Sequence, residues 1–140
     1  MEQTREWIDL KERASVEITS EDPEHPIERA FECHAGGWRA GTTGEQRIRL
    51  RFDSAMPVRR IQLRFVEPSV ERTQEFELHW CDVTGLRRLV VRQQWNFSPT
   101  GSTTETEDYR VELDAAAEIE LTIRPGADSV RASLDCWRMG

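Results

Sequence analysis

Hydrophobic and polar positions alternate with a period of two along most of this chain. Gln46–Phe52 puts Ile48, Leu50 and Phe52 on one face and Arg47, Arg49 and Arg51 on the other. Arg60–Phe65 repeats the scheme, with Ile61, Leu63 and Phe65 opposed to Arg60, Gln62 and Arg64. Glu75–Trp80 sets Phe76, Leu78 and Trp80 against Glu75, Glu77 and His79. The same spacing carries Tyr109, Val111 and Leu113, then Ile119, Leu121 and Ile123, then Val130, Ala132, Leu134 and Cys136. Successive side chains of a strand point to opposite faces, so this period predicts antiparallel strands with one face buried. Pro57, Pro68, Gly85, Pro99 with Gly101, and Pro125 with Gly126 punctuate most of the gaps. Short strands separated by such turn residues predict an all-β sandwich around one core. Glu24–Phe31 departs from the pattern: Ile27, Ala30 and Phe31 stand at helical spacing behind Pro26, which predicts one or two helical turns.

Composition narrows the class. At 140 residues the chain fits one domain spanning 1–140. Hydrophobic residues make up 37% and charged residues 32%, so thin elements with polar outer faces must supply the core. The 19 basic and 26 acidic residues give a net charge of −7, which repels phosphate backbones and argues against a nucleic-acid partner. Nothing approaches the roughly 20 consecutive apolar residues of a membrane span, and the opening MEQTREWIDLKERASVEI has no signal-peptide core. The expectation is a cytoplasmic protein with no membrane partner. Cys33, Cys81 and Cys136 are odd in number, far apart and without a CxxC, so unpaired thiols are expected. The outward arginines of 47–51 and 60–64 have glutamates available at 75–77 and 118–120. They predict cross-strand ion pairs, with a face for anionic ligands as the alternative.

The segment SEDPEHPIERAFECHAGGWRAGTTGEQRIRLRF, from Ser20, resembles the opening of discoidin domains, the coagulation-factor C-type modules related to carbohydrate-binding modules. A short helical turn, a loop, Trp38, Gln46 and the Ile48–Phe52 strand follow the family's order. Pro57–Leu63 is similar to its next strand and Ala132–Trp137 to its closing one. The resemblance implies a jelly-roll-like antiparallel β-sandwich of about eight strands, with a short helical turn near the N-terminus and ligands held by loops at one end. Many such modules carry a structural calcium. Here Glu32 falls in the place of the ligand aspartate and Ser133 in that of the final-strand acid. With calcium preferring six to eight oxygens, no metal is expected.

Other chemistry is sparse. Cys33-His34 and His79-x-Cys81 offer zinc-ligand types from distant segments. Neighbours such as Cys33 and His34 seldom point at each other, and no Gly-rich phosphate loop, GxSxG or carboxylate pair is present. Neither an enzyme nor a cofactor is expected. Arg92–Tyr109, RQQWNFSPTGSTTETEDY, is more informative. Leu89, Val91, Trp95 and Phe97 share a face with Gln93 among them, while Arg92, Gln94 and Asn96 take the other. An indole, an amide and a guanidinium where a strand meets a loop suit a sugar or peptide pocket; core packing is the other reading of Trp95. Arg92, Trp95 and Asn96 are therefore the candidate ligand residues. Arg39 and Glu67 join them on the strength of the discoidin-like end loops. The remaining loop, through Thr103, Thr104, Glu105 and Asp108, reads as solvated connection. Two functions follow: a binding module for a carbohydrate or similar polar ligand, or a protein-interaction or homo-oligomeric module using a sheet face or edge.

Overall fold

The computed structural model describes residues 7–34 and 36–140. Two helical turns, α1 (Leu10–Arg13) and α2 (Ile27–Phe31), accompany eight strands. The strands are β1 (Ala14–Ile18), β2 (Trp38–Arg39), β3 (Gln46–Val66), β4 (Arg72–Cys81), β5 (Arg87–Phe97), β6 (Thr104–Arg124), β7 (Ser133–Leu134) and β8 (Cys136–Met139). All pairings are antiparallel. The fold is an all-β sandwich, as the alternation predicts.

Two 21-residue strands build both layers. The first half of β3 pairs with β1 and with Glu118–Ile123 of β6, whose other side pairs with β4 and so with the edge strand β5. The second half, Val58–Val66, pairs with Thr104–Leu113 of β6 and with β8. One layer is thus β1-β3-β6-β4-β5 and the other β8-β3-β6. Pro57, read from the sequence as a gap between strands, instead sits where β3 turns from one layer into the other, among three register shifts between Arg51 and Arg60. Bulges add unpaired residues and bend a strand. Their effect is visible in parity: Ile48, Leu50 and Phe52 face the core before the bend, and Ile61, Leu63 and Phe65 after it. Gly126 and Gly37 mark close approaches. A Cβ at Gly126 would lie 1.8 Å from the Thr73 carbonyl oxygen, and one at Gly37 2.1 Å from that of Leu134.

Between the layers pack Ile48, Leu50, Ile61, Leu63, Phe65, Phe76, Leu78, Ile119, Leu121 and Trp137, all essentially inaccessible. Phe65 and Phe76 meet across the core with ring centroids 5.2 Å apart.

Three local expectations change. Ala14, Val16 and Ile18 form β1, an alternation that the charged N-terminal segment masks. The predicted last strand is two short ones separated by Asp135, whose N–H donates to Arg64 O at 2.8 Å. The expected unpaired thiols are corrected at two positions: Cys33 and Cys136 form a disulfide 103 residues apart in sequence, leaving Cys81 free. The chain folds so that the residue after α2's C-cap lies against β8, a proximity no sequence spacing displays.

Candidate functional site

At one end of the sandwich β3 finishes, β4 begins, β5 finishes and β6 begins. The registers Arg72–Phe97, Thr73–Asn96, Gln74–Trp95 and Phe65–Glu105 bring these termini together. The flanking loops are tied to each other by Glu67 N–H donating to Thr103 O at 2.8 Å.

A polar network lies beneath this end. Arg72 is buried; its Nε donates to Glu67 Oε1 at 2.9 Å, and its Nη1 to Gln74 Oε1 at 3.0 Å and Pro125 O at 2.8 Å. Its guanidinium sits 4.9 Å from the Phe97 ring centroid. The second Glu67 oxygen accepts from Ser69 and Val70 N–H at 3.0 and 3.1 Å, shaping the 67–71 turn. Although burial works against it, these donors hold the Glu67 carboxyl below its ordinary pKa. Gln74 Nε2 reaches on to Glu105 Oε1 at 3.5 Å. Glu105 is wholly buried in β6, not in a solvated loop, and burial, reinforced by Glu107, raises its pKa to about 9. It is a neutral acid at neutral pH. Farther along β6, Tyr109 Oη donates to Gln93 Oε1 at 3.2 Å, closing the gap between the edge strands of the two layers.

Near the end of β5 Gln94, Trp95 and Asn96 line a shallow, open depression of about 650 Å³. Trp95 is half-buried against the core, and its Nε1 is enclosed with no hydrogen-bond partner. Asn96 is exposed and accepts from Thr73 Oγ1 at 2.7 Å through Oδ1. Trp95 turns inward and Gln94 and Asn96 outward, so the ring's accessible rim and the exposed amides border the depression from the two faces of the edge strand, one for apolar contact and the other for directional hydrogen bonds.

Of the five candidate ligand residues, the structure brings Trp95 and Asn96 together at the depression and places Glu67 in the buried Arg72 network as a loop anchor. Arg92 is on the outer sheet face, its Nη2 3.0 Å from Glu77 Oε2. Arg39 stands apart on the two-stranded β2–β7 sheet. Sequence reasoning passes over Gln74, Glu105 and Tyr109; their inward parity within β4 and β6 was the available signal. A bulge also moves Leu89 from the predicted inner face. Leu78 pairs with Val91 but His79 with Leu89, so Val90 is the extra residue and Leu89 is 53% exposed.

The outer face of the five-stranded layer holds an ion-pair ladder in which Arg49 and Arg51 meet the expected glutamates, whereas Glu75 and Glu77 take Arg124 and Arg92. Arg60 and Arg64 pair instead with Asp108 and Asp135. Arg49 bridges Glu17 and Glu120, Arg51 meets Glu118, Arg87 meets Glu120, and Arg124 joins Glu45, Glu75 and Glu77. The arginines are engaged by acids of the same face, which disfavours an anionic ligand there. His79 and Cys81 line a small hollow in this face. Burial lowers the His79 pKa and raises that of Cys81, leaving both neutral and poorly suited to nucleophilic work. Glu32 is bound by Lys11 and His34, and Ser133 lies in β7 opposite Arg39. Among the described residues no group of three or more His, Cys, Asp or Glu is arranged to hold a metal ion.

No protein-family model and no curated protein matches the sequence. Solved structures do match. A family 32 carbohydrate-binding module of Clostridium perfringens NanJ, solved with galactose, superposes with a TM-score of 0.70 at 19% identity, covering 95% of this chain and 96% of that one. The family 32 module of AlyQ, in complex with 4,5-unsaturated mannuronic acid, gives 0.69 at 18% identity over 97% and 98% of the two chains. Reduced XRCC1 bound to the DNA polymerase beta catalytic domain gives 0.67 at 13% identity over 91% and 96%. The chain therefore shares the β-sandwich fold of these structures, two of which are carbohydrate-binding modules.

Proposed function

We propose that this chain is a non-catalytic carbohydrate-binding module whose ligand stacks at the end of β5. The observation that carries this reading is the depression formed by Gln94, Trp95 and Asn96 on a sandwich superposable on sugar-bound modules. Arg92 is neutralised by Glu77 and Glu105 holds its proton, so the site favours a neutral sugar over an acidic one. An indole face against a pyranose contributes on the order of 2 kcal/mol at ~25 cal/mol per Å². Millimolar binding needs about 4 kcal/mol, and the amides of Gln94 and Asn96 provide directional contacts toward the balance. Calorimetric titration with neutral mono- and oligosaccharides is the test. Binding should weaken at least tenfold in Trp95→Ala and Asn96→Ala and persist in Arg39→Ala. A panel without any binder, or binding indifferent to Trp95 and Asn96, would sink this reading.

A second reading rests on a different surface. The β4–β5 hairpin exposes Val83 (76%), Leu86 (56%) and Leu89 (53%) beside the edge strand β5, a disposition that fits a protein partner or a second copy. Light scattering separates the two: a dimer lost in Leu86→Glu with sugar binding intact would favour the hairpin.

A further inference from the structure

Beside β8 lies a second hollow of about 690 Å³ lined by Trp7, Phe31, Glu32, Cys33, Trp137 and Arg138, open to solvent. Cys33, bonded to Cys136, forms part of its wall, and the two residues differ in access: Cys33 is partly exposed, whereas Cys136 is 3% exposed. Arg138 projects from β8 on the Cys136 side and directs its Nε at both sulfurs, 3.2 Å from Cys33 Sγ and 3.5 Å from Cys136 Sγ. Unlike the arginines of the opposite layer, Arg138 has no carboxylate partner among the described residues; its other neighbour is the Trp7 ring, 5.4 Å from its guanidinium. The one acid of the hollow, Glu32, is occupied by Lys11 and His34. A cysteine at an open hollow, a buried partner and a cation touching both sulfurs suit thiol–disulfide exchange, which needs approach from solvent and a stabilised leaving thiolate.

We propose that the Cys33–Cys136 bridge is an exchange site for a small-molecule thiol, with Cys33 as the sulfur attacked and Arg138 as the positioning residue for the departing thiolate. In the first step the incoming thiolate forms an S–S bond to Cys33 Sγ while the Cys33–Cys136 bond breaks, its electron pair leaving on Cys136 Sγ beside Arg138. In the second step another thiolate attacks the small-molecule sulfur of the mixed disulfide. It releases Cys33 as a thiolate and carries away the oxidised small-molecule disulfide, so two thiols are oxidised for one bridge reduced. The bridge connects the residue after α2's C-cap to β8. Opening it removes the covalent tie between Cys33 and β8, while Phe31 keeps its ring contact with Trp137, β8 its register with Ile61–Arg64 and Ile8 N–H its bond to Met139 O.

The experiment uses the full chain in a Cys81→Ser background, incubated natively in reduced/oxidised glutathione buffers of graded ratio. Intact mass, peptide mapping and circular dichroism are the readouts. The glutathione adduct should appear on Cys33 and not on Cys136, with the β spectrum retained throughout. Arg138→Met should slow loss of the bridge roughly threefold, the effect of about one pK unit on a leaving thiol at a Brønsted slope near one half, and Arg138→Lys should restore most of the rate. Adduct formation only in urea, an adduct on Cys136, or equal rates in Arg138→Met and Arg138→Lys would each overturn the assignment. The adduct position is read in the protein with Arg138 intact, so it decides the matter even where Arg138→Met folds poorly.

Discussion

Glu105 retains its proton because burial, reinforced by Glu107, outweighs the opposing pull of Gln74 and Arg72, whose guanidinium spends its donors on Glu67, Gln74 and Pro125. Its pKa stands at about 9, above the ordinary 4.5, so between those values the folded state binds a proton that the unfolded state has lost. Its contribution is fully present below the ordinary value and is lost as pH rises through the folded one. Glu105→Gln should therefore gain on the unmutated protein as pH climbs from 5 to 9, by at least about 1.4 kcal/mol, the worth of one pK unit, in urea unfolding. Asp108 has the opposite sign. Arg60 holds its carboxyl down at about 2, so its support is present above 3.8 and lost as pH falls through 2. Partly exposed, it should cost under about 1 kcal/mol in Asp108→Asn at pH 7, and progressively less as pH falls from 3.8 through 2. Arg72 presents the larger stake. Arg72→Met leaves the Glu67 carboxylate buried without its cation and should cost about 3–5 kcal/mol, with Glu67→Gln recovering part of it. Arg92 is exposed and its partner Glu77 keeps Arg124, so Arg92→Met should cost under about 1 kcal/mol.

At the scale of elements, the bend of β3 and the docking of the 125–132 segment decide where side chains point. Gly126 turns that segment against β4 at φ +87, with the Thr73 carbonyl in the space a Cβ would take. Gly126→Ala should cost more than the about 1–2 kcal/mol of a left-handed residue alone, because backbone must also move. Gly44, at φ +88 with nothing within 4 Å of an added Cβ, supplies the control: Gly44→Ala should show the conformational cost only. Thermal unfolding of the two variants side by side checks the difference. The strands themselves were readable from two-residue alternation, since each buries one face. The bulges were not, because an extra residue changes parity without changing composition; hence Pro57 read as a gap and Leu89 as an inner residue.

For the whole molecule, a shallow site on a small sandwich implies weak single contacts and gains from repetition. Two copies joined by a flexible linker should bind an immobilised glycan about a hundredfold more tightly than one, provided both sites engage, and Trp95→Ala should erase the gain. Surface plasmon resonance on glycan-coated and bare surfaces measures it.

The sequence by itself determined the all-β class, the inward residues of most strands, the short helical turn and the ion-pair ladder, because each depends on local spacing and on the burial of one face. It also singled out Trp95 and Asn96. Tertiary structure alone decided that Glu67 is a buried anchor and that Glu105 is a neutral acid inside the sandwich. It alone placed Arg39 away from the rest and joined Cys33 to Cys136. Those outcomes depend on which distant segments become neighbours, and the free energy of a charge or a thiol is fixed by its neighbours, not by its place in the chain.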